Sequence, residues 1–199
     1  MNNILSKFFL FFCFAMFLFA NSENTNEKEI INKAENLDSG NEVLGYWVGY
    51  NDVSNIKNSI IYVYKYNGEV YGRILTIIKD GKKYNAENPS GDTVVGFENL
   101  AIEGLDFMWG LKYSPSSKKW DRGKIIDPKN GKIYNSEMSV DSKTGNLITK
   151  GKVWIFGRSK IWTRAEADEI PKVDLVNLVP APPFKKVNLA FGFTILKNT

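Results

Sequence analysis

The sequence predicts an all-β fold, a single antiparallel up-and-down β-barrel of about eight strands. Three observations carry that reading. Between residues 44 and 165, short β-prone runs alternate with turn-forming clusters, which is the pattern of sequential hairpins. The same region contains no convincing long helix. All five tryptophans and all nine tyrosines also fall inside it, a sharp change of texture from the polar segment that precedes it.

Taken in order, Leu44 to Tyr50 is the first predicted strand. Ser59 to Tyr66 is the second, and Asn67-Gly68 follows as a two-residue hairpin turn, because both residue types tolerate positive φ. Glu69 to Ile78 is its partner and ends at Lys79-Asp80-Gly81. Asp106 to Tyr113 and Trp120 to Ile126 flank the turn Ser114-Pro115-Ser116-Ser117. Asp127-Pro128-Lys129-Asn130-Gly131 leads to Lys132–Val140. Lys143-Thr144-Gly145-Asn146 leads to Leu147–Ile155, and Gly157-Arg158 to Ser159–Ala165. Eight strands joined by short hairpins form a meander, and such a meander can close into a barrel.

Asp80 to Leu105 interrupts the meander. It contains Asn88-Pro89-Ser90-Gly91 and then the apolar stretch Val94 to Leu100. A connection of this length is either a functional lid or a packed plug over one barrel end.

The ends of the chain have a different character. Met1 to Ala20 combines Lys7 with the apolar run Phe8 to Ala20, which is too short for a comfortable bilayer span and suits a signal peptide over residues 1–22. Retention as an anchor is the alternative. Residues 23–43 form a polar leader, with a short helix over Glu27 to Leu37 as one option. After residue 165 an extension, 166–199, passes through Pro180-Ala181-Pro182-Pro183 to the apolar, β-prone segment Val187 to Leu196. That segment reads as an added strand or strap packed on the barrel, or as a docking segment for a partner or membrane.

Composition excludes several chemistries. Cys13 is the single cysteine and sits in the signal segment, and histidine is absent. The mature chain therefore lacks disulfides, and the usual Ser-His and Cys-His nucleophile pairs cannot be built. Zinc sites without His or Cys are rare. Asp121, Asp127, Glu103 and Asp106 are near one another in sequence but fall at turns or on faces that read as exposed, which argues against acid–base catalysis. The net charge of +4 is scattered, with no basic helix or aromatic-basic motif, so no nucleic-acid partner is expected. A weak peripheral attraction to anionic headgroups fits the charge. No cofactor is implied.

Alternation along the strands selects a candidate interior. Lys65 prefers water, so the opposite face of its strand, with Tyr62 and Tyr64, is assigned inward. By the same argument Phe107, Trp109, Tyr134, Met138 and Val153 face the lumen. These seven side chains either fill the interior or line a pocket around one small ligand, with hydroxyl and indole groups as its fixed polar points.

Gly45-Tyr46-Trp47 at the first strand and Arg164 at the end of the last resemble the signature shared by lipocalins and other calycins. That resemblance implies a tryptophan plugging the closed end and an arginine lying across its indole face. A longer set of motifs is similar to domain-of-unknown-function family 2147 of exported bacterial proteins. It includes Tyr71-Gly72-Arg73-Ile74, Asn88-Pro89, and the run from Trp120 through Gly123, Asp127-Pro128 and Asn130-Gly131-Lys132 to Tyr134. It closes with Gly157-Arg158-Ser159-Lys160-Ile161-Trp162-Thr163-Arg164. This resemblance spans Leu44 to Arg164 and implies a calycin-like barrel in the periplasm or cell envelope, with no settled activity. The expected function is a non-catalytic carrier or sensor of a small apolar or amphipathic ligand, such as a lipid or fatty acid. The alternative is a structural or interaction protein with a filled barrel.

Overall fold

Nine strands form one antiparallel sheet whose two edges meet, leaving a barrel with one strand to spare. The computed structural model describes residues 40–97, 99–153, 156–173, 175 and 178–183. The signal segment, the leader helix and the apolar segment Val187 to Leu196 read from the sequence lie outside the described residues.

The strands are β1 (Gly45–Tyr50), β2 (Lys57–Tyr66), β3 (Glu69–Lys79), β4 (Lys82–Tyr84), β5 (Asp106–Ser114), β6 (Lys119–Asp127), β7 (Lys132–Val140), β8 (Leu147–Val153) and β9 (Phe156–Arg164). Around the barrel the order is β1, β2, β3, β5, β6, β7, β8, β9 and back to β1. The short β4 pairs with β3 alone, through the turn at Asp80-Gly81. Among the described residues the one helical element is a 3-10 turn, Asn41–Val43.

The meander read from the sequence is thus present, and its local turn chemistry holds. Asn67 and Gly68 both adopt positive φ, 48° and 80°, as a tight hairpin with the twist of its strands requires. One turn is displaced. Val153 pairs with Phe156 and Lys152 with Gly157, so Gly157-Arg158 lies within β9 and the chain reverses before it.

Register fixes the faces. Trp47 lies opposite Ile61, Ile61 opposite Ile74, Val63 opposite Gly72, and Gly72 opposite Met108. Directly opposed residues share a face, and these belong to the core with Leu111, Trp120, Met138, Leu147 and Trp162. Tyr62 and Tyr64 therefore face outward, paired with Tyr46, Arg73 and Tyr71. This corrects the inward assignment made from Lys65. The lysine stands on the inner face near the barrel end, with its ammonium 5.5 Å from the Trp120 ring centroid. A long stem lets a lysine cover apolar surface while its charge reaches water.

The outer wall is also partly dry. Val48, Ile60 and Thr76 are opposed on it, and each is almost completely buried. The described part of the C-terminal extension is anchored to this wall at several points. Ala165 N–H donates to the Tyr46 carbonyl (3.1 Å), Lys57 pairs with Glu169, and Arg73 and Asp106 hold the backbone at Val179 and Ala181.

Candidate functional site

The two barrel ends are closed in different ways. At the end where β1 begins and β9 finishes, Trp47 is fully buried and its indole N–H donates to the Val43 carbonyl at 2.8 Å. The Arg164 guanidinium lies 3.7 Å from the Trp47 ring centroid, close enough for a strong cation–π contact. It also donates to the Leu44 and Glu42 carbonyls at 2.7 and 2.8 Å. Burial pulls the Arg164 pKa down from its ordinary value. Gly45 explains the small residue of the signature: its φ is 112°, and a Cβ there would meet Arg164 Nη1 at 2.8 Å. Trp120 completes the seal by donating to the Gly40 carbonyl at 2.7 Å. Gly45, Trp47 and Arg164 thus form the plug that the calycin resemblance implies.

At the other end the crossover between β4 and β5 lies over the lumen. Val94 is buried in the core, and Phe97, Leu100 and Ile102 pack against it. Of the two expectations for this segment, the structure shows the packed plug. Its backbone is tied to the barrel at two places, Val95 N–H to the Pro128 carbonyl (3.0 Å) and Gly104 N–H to the Ile74 carbonyl (2.7 Å). The Asp127-to-Gly131 turn is shaped for the first of these. A Cβ on Gly131 would come within 1.9 Å of the Val95 carbonyl oxygen, so only glycine admits that approach.

Between the ends, Phe107 and Met138 are core residues. Phe107 meets Trp162 at 6.0 Å between ring centroids, and Trp162 donates to Thr149 Oγ1 at 3.0 Å. Tyr134 lies opposite Ile125 and is half-buried, while Trp109 lies opposite Lys124, half-buried at the margin of the core. Val153 ends β8, and its side chain is outside the described part of the structure. The other six residues read as one lining set are therefore divided between the core, its margin and, for Tyr62 and Tyr64, the outer wall.

That outer wall carries polar chemistry the sequence reading missed. Asp106, read there as exposed, has no solvent exposure. Arg73 grips it with two bonds, Nε to Oδ1 at 2.8 Å and Nη2 to Oδ2 at 2.7 Å. Tyr64 donates to Oδ1 at 2.9 Å, and Ala181 N–H donates to Oδ2 at 2.7 Å. Arg73 Nη2 also donates to the Val179 carbonyl at 3.1 Å. Glu103 is likewise buried, accepting from Ser90 N–H at 3.0 Å. Asp121 and Asp127 are half-buried beside turns. Among the described residues, no group of three or more His, Cys, Asp or Glu side chains is placed to hold a metal ion.

Tyr46, Tyr62, Tyr64 and Tyr71 form a continuous row on the wall, with successive centroids 4.8, 5.6 and 5.6 Å apart. Burial, followed by the Glu69 carboxylate, pushes the Tyr71 phenol up to about 12. Burial and then Asp106 raise Tyr64, with Arg73 opposing, and burial followed by Tyr62 raises Tyr46. The fold therefore favours the neutral phenols. The contribution of Tyr71 is intact below the ordinary value of 10.0 and is lost as pH rises through about 12. In an alkaline titration followed at 295 nm, part of the tyrosine signal is expected to appear late, together with loss of near-ultraviolet circular dichroism. A single ordinary phenol titration, with the fold intact, would contradict this assignment.

An antiparallel eight-stranded barrel, plugged at one end by a tryptophan under an arginine, is the class of protein that this geometry defines. Residues 45–164 match the family of uncharacterized proteins conserved in bacteria designated DUF2147, and the chain belongs to that family. Among solved structures it is similar to protein HP1028 of Helicobacter pylori, which belongs to the lipocalin family. The identity is 18%, the match covers 63% of this chain and 84% of that one, and the TM-score is 0.48. No curated protein matches the chain.

Proposed function

We propose that this is an exported, non-catalytic barrel protein that holds a small apolar or amphipathic molecule, of the size of a lipid or fatty acid, in the cell envelope. The observation that carries this reading is the inequality of the two barrel ends. One is fixed by Trp47, Arg164 and Trp120 against the chain at Gly40 to Leu44. The other is covered by a crossover whose backbone is bonded to the barrel at two places. A plug held by a few backbone bonds opens locally at lower cost than the strands beside it, so a ligand would enter from this end. The segment Met1 to Ala20 supports export to the periplasm or beyond.

A second reading, a scaffold with a filled barrel, is favoured by the continuity of the interior cluster from Trp47 to Trp162 through Phe107, Met108 and Met138. Native mass spectrometry of protein purified from its own envelope separates the two. The carrier reading expects a bound species of lipid mass that is released by collisional activation. A bare polypeptide mass under the same gentle conditions would overturn it in favour of the scaffold.

A further inference from the structure

We infer that the mouth of the barrel is a head-group site for an anionic amphiphile, in which Lys160 and Arg158 receive a carboxylate or phosphate that replaces the side chain of Asp52. The inference rests on the carrier reading and names the class of ligand it would take.

The alternation of β9 brings these cations to the mouth. Trp162 lies opposite Leu147, Lys160 opposite Thr149, and Arg158 opposite Gly151. Trp162, Leu147 and Thr149 are interior, so Trp162, Lys160 and Arg158 form one inward column rising toward the crossover end. Arg158 is exposed near the start of β9, whereas Lys160 is partly buried, and a partly buried cation is costly unless an anion meets it. In this structure the anion is Asp52, on the β1–β2 loop. Lys160 Nζ donates to Asp52 Oδ1 at 2.9 Å and to the Tyr50 carbonyl, and lies 5.9 Å from the Trp162 ring centroid.

The pairing is lopsided in a way that suits exchange. The Lys160 side chain is 28% exposed and that of Asp52 is 64% exposed, so the cation is seated in the wall while its partner hangs from a loop. The hydrogen bond and charge of Lys160 hold the Asp52 carboxyl below its ordinary range against a smaller opposing effect of burial, with still smaller help from Arg158 and Lys129. Lys160 thus holds one replaceable carboxylate, and Arg158 stands two residues before it on the same register face of β9. The same rim exposes apolar side chains: Val53 (97%) and Ile56 (67%) beside Asp52, and Val95 on the crossover where it meets Pro128. An anion at the rim with an apolar chain directed past Trp162 matches this arrangement of charge and apolar surface.

The test uses the mature full-length chain and four probes at low ionic strength, measured by calorimetry: dodecanoate, dodecyl phosphate, dodecanol and inorganic phosphate. The two anionic amphiphiles are expected to bind about tenfold more tightly than dodecanol. Lys160→Gln should remove that difference while leaving dodecanol affinity unchanged, and Arg158→Gln should reduce it. Asp52→Asn, on an exposed loop, should tighten dodecanoate binding several-fold, because the internal competitor has lost its charge. Equal affinity for dodecanoate and dodecanol would overturn the head-group site and leave the carrier reading standing. Inorganic phosphate binding as tightly as dodecyl phosphate would also overturn it, pointing to a free-anion site. If no amphiphile binds at all, both readings fall together.

Discussion

Arg73→Met is expected to cost about 3–5 kcal/mol of stability, because it strands a carboxylate with no solvent exposure. Asp106 keeps its bonds from Tyr64 and Ala181 but loses both guanidinium contacts. The effect should reach beyond the pair. Arg73 and Asp106 together clamp the backbone at Val179 and Ala181, so faster proteolysis of the extension should accompany the loss. Removing both charges, as Arg73→Met with Asp106→Leu, should recover much of the global stability, since a buried pair and an apolar pair of similar volume are often close in free energy. The extension should stay loose even so, because its anchoring acceptor and donor are gone. Urea denaturation and limited proteolysis of the single and double variants measure the two effects separately. A single variant as stable as the parent would show that water reaches Asp106 and that the clamp is not buried in solution.

The sequence was readable where structure is local. Asn67-Gly68 dictates its hairpin through backbone geometry alone, and strand–turn alternation marks each barrel strand within a few residues. The sealed end was readable because its two halves carry a recognisable signature at the two termini of the domain, Trp47 and Arg164. Faces were harder. On β2 both sets are apolar or aromatic, Ile61 and Val63 inward, Tyr62 and Tyr64 outward, so alternation could not choose, and the one lysine that seemed to decide was itself on the inner face. Outward positions can also look like core positions, because Val48 and Ile60 are buried although they lie on the outer face.

The polar features failed to appear for a related reason. Asp106 meets Arg73 through the β3–β5 pairing, which joins strands separated in sequence by β4 and the crossover. No spacing rule reaches across such a gap, and an aspartate beginning a strand reads as a turn residue. A turn at Gly157-Arg158 leaves Arg158 outside the last predicted strand, Ser159–Ala165, and that reading assigns no face to Lys160. The turn lies before Phe156, which brings Arg158 into β9 as well and, by the pleat, sets both residues on the Trp162 face.

Trp47→Ala is expected to have an effect as large as the Arg73 substitution, by a different mechanism. It empties the centre of the sealed end, and truncating a buried aromatic of this size costs about 3–5 kcal/mol through lost contacts and the cavity left behind. For a domain of this size that corresponds to a fall of roughly 6–20 °C in Tm. It also leaves the Val43 carbonyl without its indole donor and Arg164 without the ring beneath it. Arg164→Ala should cost less. Its guanidinium is partly exposed, and the cation–π term is about 0.5–2 kcal/mol, to which the bonds to Leu44 and Glu42 add. Trp47→Phe keeps an aromatic face under Arg164 and should fall between the two. Thermal denaturation of the three variants tests the order. The same order also tests the division of labour between the ends, because substitutions at the seal should lower Tm while the preference of the mouth for anionic over neutral amphiphiles persists. If Trp47→Phe abolished that preference with Tm nearly unchanged, the sealed end would be part of the binding site rather than its floor.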